Sequence, residues 1–561
     1  MSGEHSARRS PTGTGGPPRH RWAAPPTAPF RRAVTGRGPA VRRAAAAPAA
    51  PYRKVSMRAD ISLVNACLLP AYAGRSPADW ILRAADQGLA GVGLFGTNFP
   101  AGSGSLREEV TAPLRAVRPD LLIALDEEGG DVTRLDYLRG SVYPGSHALG
   151  AVDDTGLTRE VGAAIARDLR AEGVNLCLAP CADVNSRPDN PIIGVRSFGD
   201  RPDLVARHTA AYVRGVQDAG VAATLKHFPG HGDTRTDSHA ELPDIDRDAA
   251  SLDAVDLPPF RAGIAAGARA VMTGHIRLSR LDGLPATLSR RIVTGLLREQ
   301  LGYRGVVMTD ALEMAPIVRR WGYGGAAVAA LAAGADLVVL GATDGEKLLP
   351  EVHDAVQEAL DRGTLTLERV AEAACRVASL RAWADPARRN GTPDPGGPAP
   401  DRHREPVGLT AARRALLAHG VPRAADGRRL HTVRLATAAN LAVGDAPWGL
   451  EAPLRRLGAL ATATEVEPGI DPATVVPPPD DGDPLAVVVR DAERDPWQRA
   501  VLQELRARRP DLVTVEMGLA PARPLPSDAP ATLFTRGAGL VNAIAAAEYL
   551  TGRAWHGPLR P

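Results

Sequence analysis

Residues 226–239 read KHFPGHGDTRTDSH, which sets one Lys, three His and two Asp within fourteen positions. Pro229, Gly230 and Gly232 interrupt any helix or central strand, so these polar groups belong on a loop. Asp237 and His239 flank Ser238, and on an irregular loop their side chains can meet. A carboxylate beside an imidazole fixes its tautomer and stabilises its protonated form, giving a pair that exchanges a proton near neutral pH. Simple solvation of both is the competing reading, and the neighbouring Lys226, His227 and glycines weigh against it. His227, His231, Asp233, Asp237 and His239 can also be read as metal ligands. However, Pro229 and Gly230 rule out the helix that an HExxH site requires, and no Glu follows His227. No metal is expected.

Three further segments carry candidate groups. Asp310, in GVVMTDALEM, stands where an apolar strand meets a helix. There a carboxylate can act as nucleophile or charge stabiliser, or simply cap the helix. Asp126 opens DEEGGDVTRL, where Gly129 and Gly130 let backbone approach a ligand and Arg134 follows. Its plain alternative is a solvated turn carboxylate. Arg196, in NPIIGVRSFGD, offers a rigid donor fork for hydroxyl or carbonyl oxygens, or for a structural ion pair.

These groups need a scaffold that brings distant segments together. Strands are expected at 90–96, 121–125, 174–180, 222–227, 269–275, 305–311 and 335–341, with 61–69 as an eighth. Helical patterns at 76–89, 201–220 and 289–302 lie between them. Near-continuous apolar strands alternating with helices imply a parallel sheet covered on both faces, and eight such units fit a (β/α)8 barrel. Polar residues follow five of the strands: Asp126-Glu127-Glu128, Asp183 with Asn185, Lys226-His227, His275 and Asp310. Barrel sites form at those strand ends, so one shared pocket is expected.

The chain has 561 residues and a net charge of +3, enough for two or three domains. Residues 1–56 hold ten Arg, one Lys and one Glu, a balance of +10 that leaves 57–561 at −7. This Pro/Ala/Arg-rich arm is expected to be disordered, either a dispensable extension or a wrongly assigned start before Met57. The acidic remainder argues against nucleic acid as a partner. No apolar run reaches transmembrane length, and Arg8-Arg9 lacks a following apolar export segment, so a cytoplasmic protein is expected. Four scattered cysteines suit buried thiols rather than a disulfide framework. The expected layout is a barrel over 57–383, a Pro/Gly/Arg linker over 384–406 and a smaller α/β sandwich over 407–561. Few ionisable groups cluster in the last segment, which is therefore expected to support rather than perform chemistry.

KHFPGHGDTRTDSH, LDEEGGDVTRL, NPIIGVRSFGD and VVMTDAL together resemble the glycoside hydrolase family 3 β-N-acetylglucosaminidases. The resemblance implies a two-step retaining mechanism on β-linked N-acetylglucosaminides from peptidoglycan or chitin, without metal or organic cofactor. It assigns Asp310 as nucleophile, His239 as acid/base and Asp237 as its partner, in place of the usual two carboxylates. Asp126, Arg134, Arg196, Lys226 and His227 match positions that bind the sugar hydroxyls and the N-acetyl group. One departure stands out: Asp131 follows the double glycine where the family commonly has Arg, adding negative charge near the sugar site. Two rival activities share parts of this pattern. Phosphate could replace water, making a phosphorylase, since a histidine acid/base does not repel the anion as a carboxylate would. A non-catalytic sugar-binding protein would have lost Asp310 or the dyad, and all three residues are present. The oligomeric state is not legible.

Overall fold

The computed structural model describes residues 60–99, 105–236, 241–341, 345–385, 406–424, 427, 429–437, 443–444, 446–478 and 482–560. The basic arm, most of the linker and the pair Asp237 and His239 lie outside these residues. Residues 56–561 form one compact unit with an α/β fold.

Eight short strands make up the first part: β1 Leu68–Pro70, β2 Gly91–Gly93, β3 Leu122–Leu125, β4 Leu176–Cys177, β5 Ala222–Phe228, β6 Ala270–Thr273, β7 Val306–Thr309 and β8 Val338–Leu340. β2 to β7 pair in chain order as a parallel sheet, and β1 pairs with β8. Bridges Ala71–Gly93 and Met308–Leu337 join these two groups, so the sheet curls until every strand has two neighbours. Every residue of these strands is buried. Leu69, Leu122, Ala124, Leu176, Met272 and Met308 are among those that point into one interior cluster, which Val377 and Leu380 of the helix Leu367–Ala384 also enter. Alternate residues such as Ile123, Leu125, Val271 and Val307 face the surrounding helices instead. Burial on both faces is why these strands read as unbroken apolar runs.

Local chemistry sets the helix starts. Asp154 accepts the Leu157 N–H at 3.0 Å before the helix Thr155–Ala171, and Pro202 occupies the first turn of Pro202–Asp218. The segment expected as the eighth strand divides: Ile61–Asn65 is a helix turn, because the Asp60 carboxylate accepts the Ser62 N–H at 3.0 Å, and only Leu68–Pro70 is strand.

The second sheet comprises β9 Leu417–His419, β10 Leu430–Leu435, β11 Leu460–Val466, β12 Leu485–Val489, β13 Val513–Glu516 and β14 Thr532–Phe534. Its order is β11-β10-β12-β13-β14-β9, parallel except for β9. Ala486 and Val488 pack toward the helix Leu540–Thr551, while Val487 and Val489 pack toward Pro496–Arg508 on the other face. The apolar runs HTVRLATA, LAVVVR, LVTVEMG and ATLFTRG read as strands in sequence and contain most of β10, β12, β13 and β14, whereas β9 and β11 have no such run. β9 is three residues long, and β11 is an edge strand whose Ala463, Thr464 and Glu465 are exposed, so neither shows a burial pattern in sequence.

Candidate active site

Asp126 follows β3 directly, Lys226 and His227 lie in β5, His275 sits two residues past β6, and Asp310 one residue past β7. All occupy carboxyl ends of strands in the same parallel sheet. Phe228, Thr273 and Thr309 are aligned across β5, β6 and β7. At roughly 4.8 Å per strand, Asp310 therefore leaves the sheet about 10 Å from the end of β5.

Lys226 is the centre of the arrangement. Its ammonium lies 2.6 Å from Asp126 Oδ1 and 2.6 Å from Glu128 Oε1. Glu128 also accepts two bonds from the Arg196 fork, from Nε at 3.0 Å and Nη2 at 2.8 Å. Arg196 Nη2 continues to His227 Nε2 at 3.4 Å, and His227 Nδ1 lies 2.8 Å from Asp183 Oδ2. At the other end, Arg134 Nη2 stands 3.8 Å from Asp126 Oδ2. The result is one polar chain, Arg134–Asp126–Lys226–Glu128–Arg196–His227–Asp183. With the acceptor-only Asp183 taking the Nδ1 proton, His227 presents Nε2 as an acceptor to Arg196.

Burial and charge act against each other along this chain. Burial alone would lift the Glu128 carboxyl, but Arg196 and then Lys226 hold it well below the usual carboxylate range. Burial likewise opposes the Lys226 ammonium, and Asp126 and Glu128 more than restore it. Asp183 is pulled down to about 2, against burial, by His227. The side chains of Lys226 and Glu128 are each 3% exposed, whereas Asp126 is 18% exposed. Asp126 is thus the open end of an otherwise enclosed network.

The loop geometry explains the glycines. A Cβ on Gly130, with φ +60°, would stand 2.6 Å from Gly145 backbone, and one on Gly232 would collide with the Val184 carbonyl. His231 donates its backbone N–H to Asp183 at 2.7 Å, and its ring Nδ1 meets Thr234 Oγ1 at 2.9 Å. Burial, then the adjoining His227, lower His231 to about 4, so it stays neutral near pH 7. Asp233 is held by Arg187 at 3.1 Å and Arg247 at 3.3 Å. Thus the loop is anchored from several sides up to Thr234.

The structure also sorts the competing readings of single residues. Asp310 does not cap the following helix, which begins at Ala315; its Oδ1 accepts the Ala311 N–H at 2.8 Å. His275 lies 3.0 Å from the Ala311 carbonyl and thereby steadies the same turn. Asp126 is ion-paired rather than a free turn carboxylate, and Arg196 does form an ion pair, with Glu128. Asp131 contributes little free negative charge: Arg490 pairs with it, and the Ala538 N–H donates to it at 2.7 Å. Glu128 and Asp183 organise the site, and the sequence placed both among the strand-end residues of the expected pocket without giving either a role. Both stand in the polar segments after β3 and β4, which was the available signal.

Cys181, Asp183 and His227 are close enough to share an ion, but Cys181 Sγ already meets Asp183 Oδ2 at 3.2 Å. Burial pushes that thiol well above its ordinary range, opposing the thiolate a metal would bind. Cys67, Cys177 and Cys181 are buried free thiols, and Cys375 is exposed.

Residues 81–380, more than half of the chain, match the glycosyl hydrolase family 3 N-terminal domain. The chain belongs to glycosyl hydrolase family 3. This family 3 glycoside hydrolase is 36% identical over 282 residues to β-hexosaminidase A of Pseudoalteromonas piscicida, a match spanning 47% of that relative's length and 46% of this chain. It is 40% identical over 268 residues to the β-hexosaminidase of Xanthomonas oryzae pv. oryzae (strain KACC10331 / KXO85), covering 78% of that protein and 47% of this one. Among solved structures, a family 3 β-N-acetylglucosaminidase from Paenibacillus sp. str. FPU-7 aligns with a TM-score of 0.73 and 31% identity. That alignment covers 89% of this family 3 chain and 98% of the other.

Proposed function

We propose that the protein is a retaining exo-β-N-acetylglucosaminidase, built as a (β/α)8 barrel followed by an α/β sandwich from about residue 407. The observation that carries this reading is the polar chain from Arg134 to Asp183, open at Asp126, beside Asp310 on the same rim of strand ends. The similarity of nearly the whole chain to a β-N-acetylglucosaminidase supports the substrate class. In the first step Asp310 attacks the anomeric carbon and forms a covalent glycosyl-enzyme, while His239, oriented by Asp237, protonates the departing oxygen. In the second step the neutral His239 takes a proton from water, which attacks the same carbon and releases Asp310. Asp126, with Arg134, Lys226, Arg196 and His227 behind it, binds the sugar hydroxyls and the N-acetyl group. The fixed anion of Asp310 favours the positive charge of the oxocarbenium-like transition state, while the cations hold the sugar's oxygens. The natural substrates are terminal β-linked N-acetylglucosaminides of peptidoglycan or chitin fragments.

The test is release of p-nitrophenol from its β-N-acetylglucosaminide, with and without inorganic phosphate, identifying the sugar product. Free N-acetylglucosamine under both conditions is expected. Sugar 1-phosphate with a large phosphate acceleration would make the protein a phosphorylase, and no turnover would remove the catalytic reading for this substrate.

A further inference from the structure

We infer that the turn after β12 positions the barrel site, through Arg490 on the sugar-binding loop and Arg494 on the histidine loop. The inference rests on the function proposed above for its kinetic consequences, but its structural basis is independent of it.

The two arginines stand four residues apart in VVVRDAERD and reach different targets. Arg490 pairs with Asp131, whose side chain is 1% exposed and whose other oxygen accepts the Ala538 N–H at 2.7 Å. Asp131 sits between Glu128 and Arg134, in the loop that the Gly129–Val132 bridge and the Gly130 N–H to Tyr143 carbonyl bond (2.7 Å) also shape. Arg494 donates to the Asn190 backbone carbonyl. The Asn190 side chain in turn donates to the His231 carbonyl at 2.9 Å and to Thr234 Oγ1 at 3.2 Å, while its Oδ1 accepts the Ile192 and Ile193 N–H groups at 2.9 and 2.8 Å. One guanidinium therefore holds the loop bearing Asp126 and Glu128. The other holds the residue that fixes the histidine loop three residues before Asp237.

The turn is rigid enough to act as a brace. The buried Glu516 carboxylate accepts the N–H groups of Asp491, Ala492 and Gly518 at 2.7, 3.0 and 2.6 Å. Asp491, at φ +55°, accepts the Leu519 N–H at 2.9 Å and pairs with Arg494. Where the family resemblance leads one to expect Arg at position 131, this chain places an acid that answers Arg490. Neither arginine is a catalytic residue; both act through the loops they hold.

The experiment compares full-length Arg490→Gln and Arg494→Gln by amide hydrogen exchange and by kinetics. Arg490→Gln should speed exchange in residues 129–134 and leave 190–193 and 231–236 as in the wild type; Arg494→Gln should do the reverse. On the p-nitrophenyl substrate, Arg490→Gln should raise KM by roughly tenfold with kcat little changed. Arg494→Gln should lower kcat by roughly tenfold, more on a disaccharide than on the aryl glycoside, with KM little changed. A general loosening, with both loops and both constants moving alike in each variant, would overturn the inference, as would wild-type exchange in both. Should the Gln variants not fold, Arg490→Lys and Arg494→Lys, shorter by the fork, should show the same split at smaller amplitude; wild-type exchange in both Lys variants would overturn it. A wild-type enzyme inactive on the substrate would instead refute the proposed function, with the exchange pattern still deciding the brace.

Discussion

Glu128 and Asp336 are two buried carboxylates, each ringed by cations, at opposite ends of the curled sheet. Glu128 follows β3 and takes Arg196 and Lys226; Asp336 precedes β8 and takes Arg298, Arg369 at 2.7 Å and Arg376 at 3.1 Å. The networks end differently. Asp336 also accepts the Val307 N–H at 3.0 Å, and its arginines run on to backbone carbonyls such as those of Tyr303, Leu331 and Ala335. Arg369 and Arg376 also share Glu372, which is exposed, so this network reaches solvent only at a helix surface, away from the strand-end rim. The Glu128 network leads to the partly exposed Asp126, to His227 and toward the loop before Asp237. A buried charge cluster is thus no sign of a site by itself. The informative feature is a network with an open end on the rim where several strands finish.

The largest expected effect lies on that rim. Asp310→Ala should lower turnover of the aryl glycoside by at least about a thousandfold while leaving the melting temperature close to wild type. A substantial residual rate would refute its nucleophilic role.

The next pair tests the comparison directly. Asp336→Asn leaves three arginines around a neutral amide and should destabilise the fold by roughly 3–5 kcal/mol, with KM and kcat near wild type. Glu128→Gln should also lose stability, but in addition should lower kcat/KM by about a hundredfold. Denaturant titration beside steady-state kinetics separates them, and equal kinetic losses would abolish the distinction between a network that opens on the rim and one that does not.

Smaller effects should appear in the pH dependence of stability, with opposite signs at two nearby groups. His231 is lowered to about 4 from an ordinary value near 6.5. Its contribution is therefore fully present above about pH 6.5 and is lost as pH falls toward 4. His231→Gln should flatten that slope in urea titrations at pH 7, 6 and 5. Glu127, beside Glu128, is instead lifted to about 7 by burial and then by Asp136. Its contribution is fully present below about pH 4.5 and is lost as pH rises through 7. Glu127→Gln should match the wild type near pH 5 and exceed its stability at pH 8; a parallel profile would show that Glu127 does not titrate in this range.

Much of the site was legible because strand ends carry their polar residues in sequence. DEEGG, KHFPGHGD and TDAL each follow an apolar run, and the structure places those runs on alternate strands of one sheet, β3, β5 and β7. The roles within the cluster were less legible. Glu128 is one of three consecutive acids, and nothing local distinguishes it from Glu127, which bonds Thr133 and the Arg134 and Leu135 N–H groups instead. Asp131 read as added charge near the sugar because its partner, Arg490, lies 359 residues away.

The sequence by itself determined the alternation of buried strands and helices, the glycine positions where backbones must touch, and the chemical types available at each strand end. These are properties of neighbouring residues, set by apolar period and backbone freedom. Tertiary structure alone decided which acid meets which cation, and therefore which carboxylates sit low and which sit near neutrality. It also decided that a turn in the second sheet reaches both loops of the site. Such pairings depend on separations of a few ångströms between distant segments, and only the closed packing of the strands and helices fixes those distances.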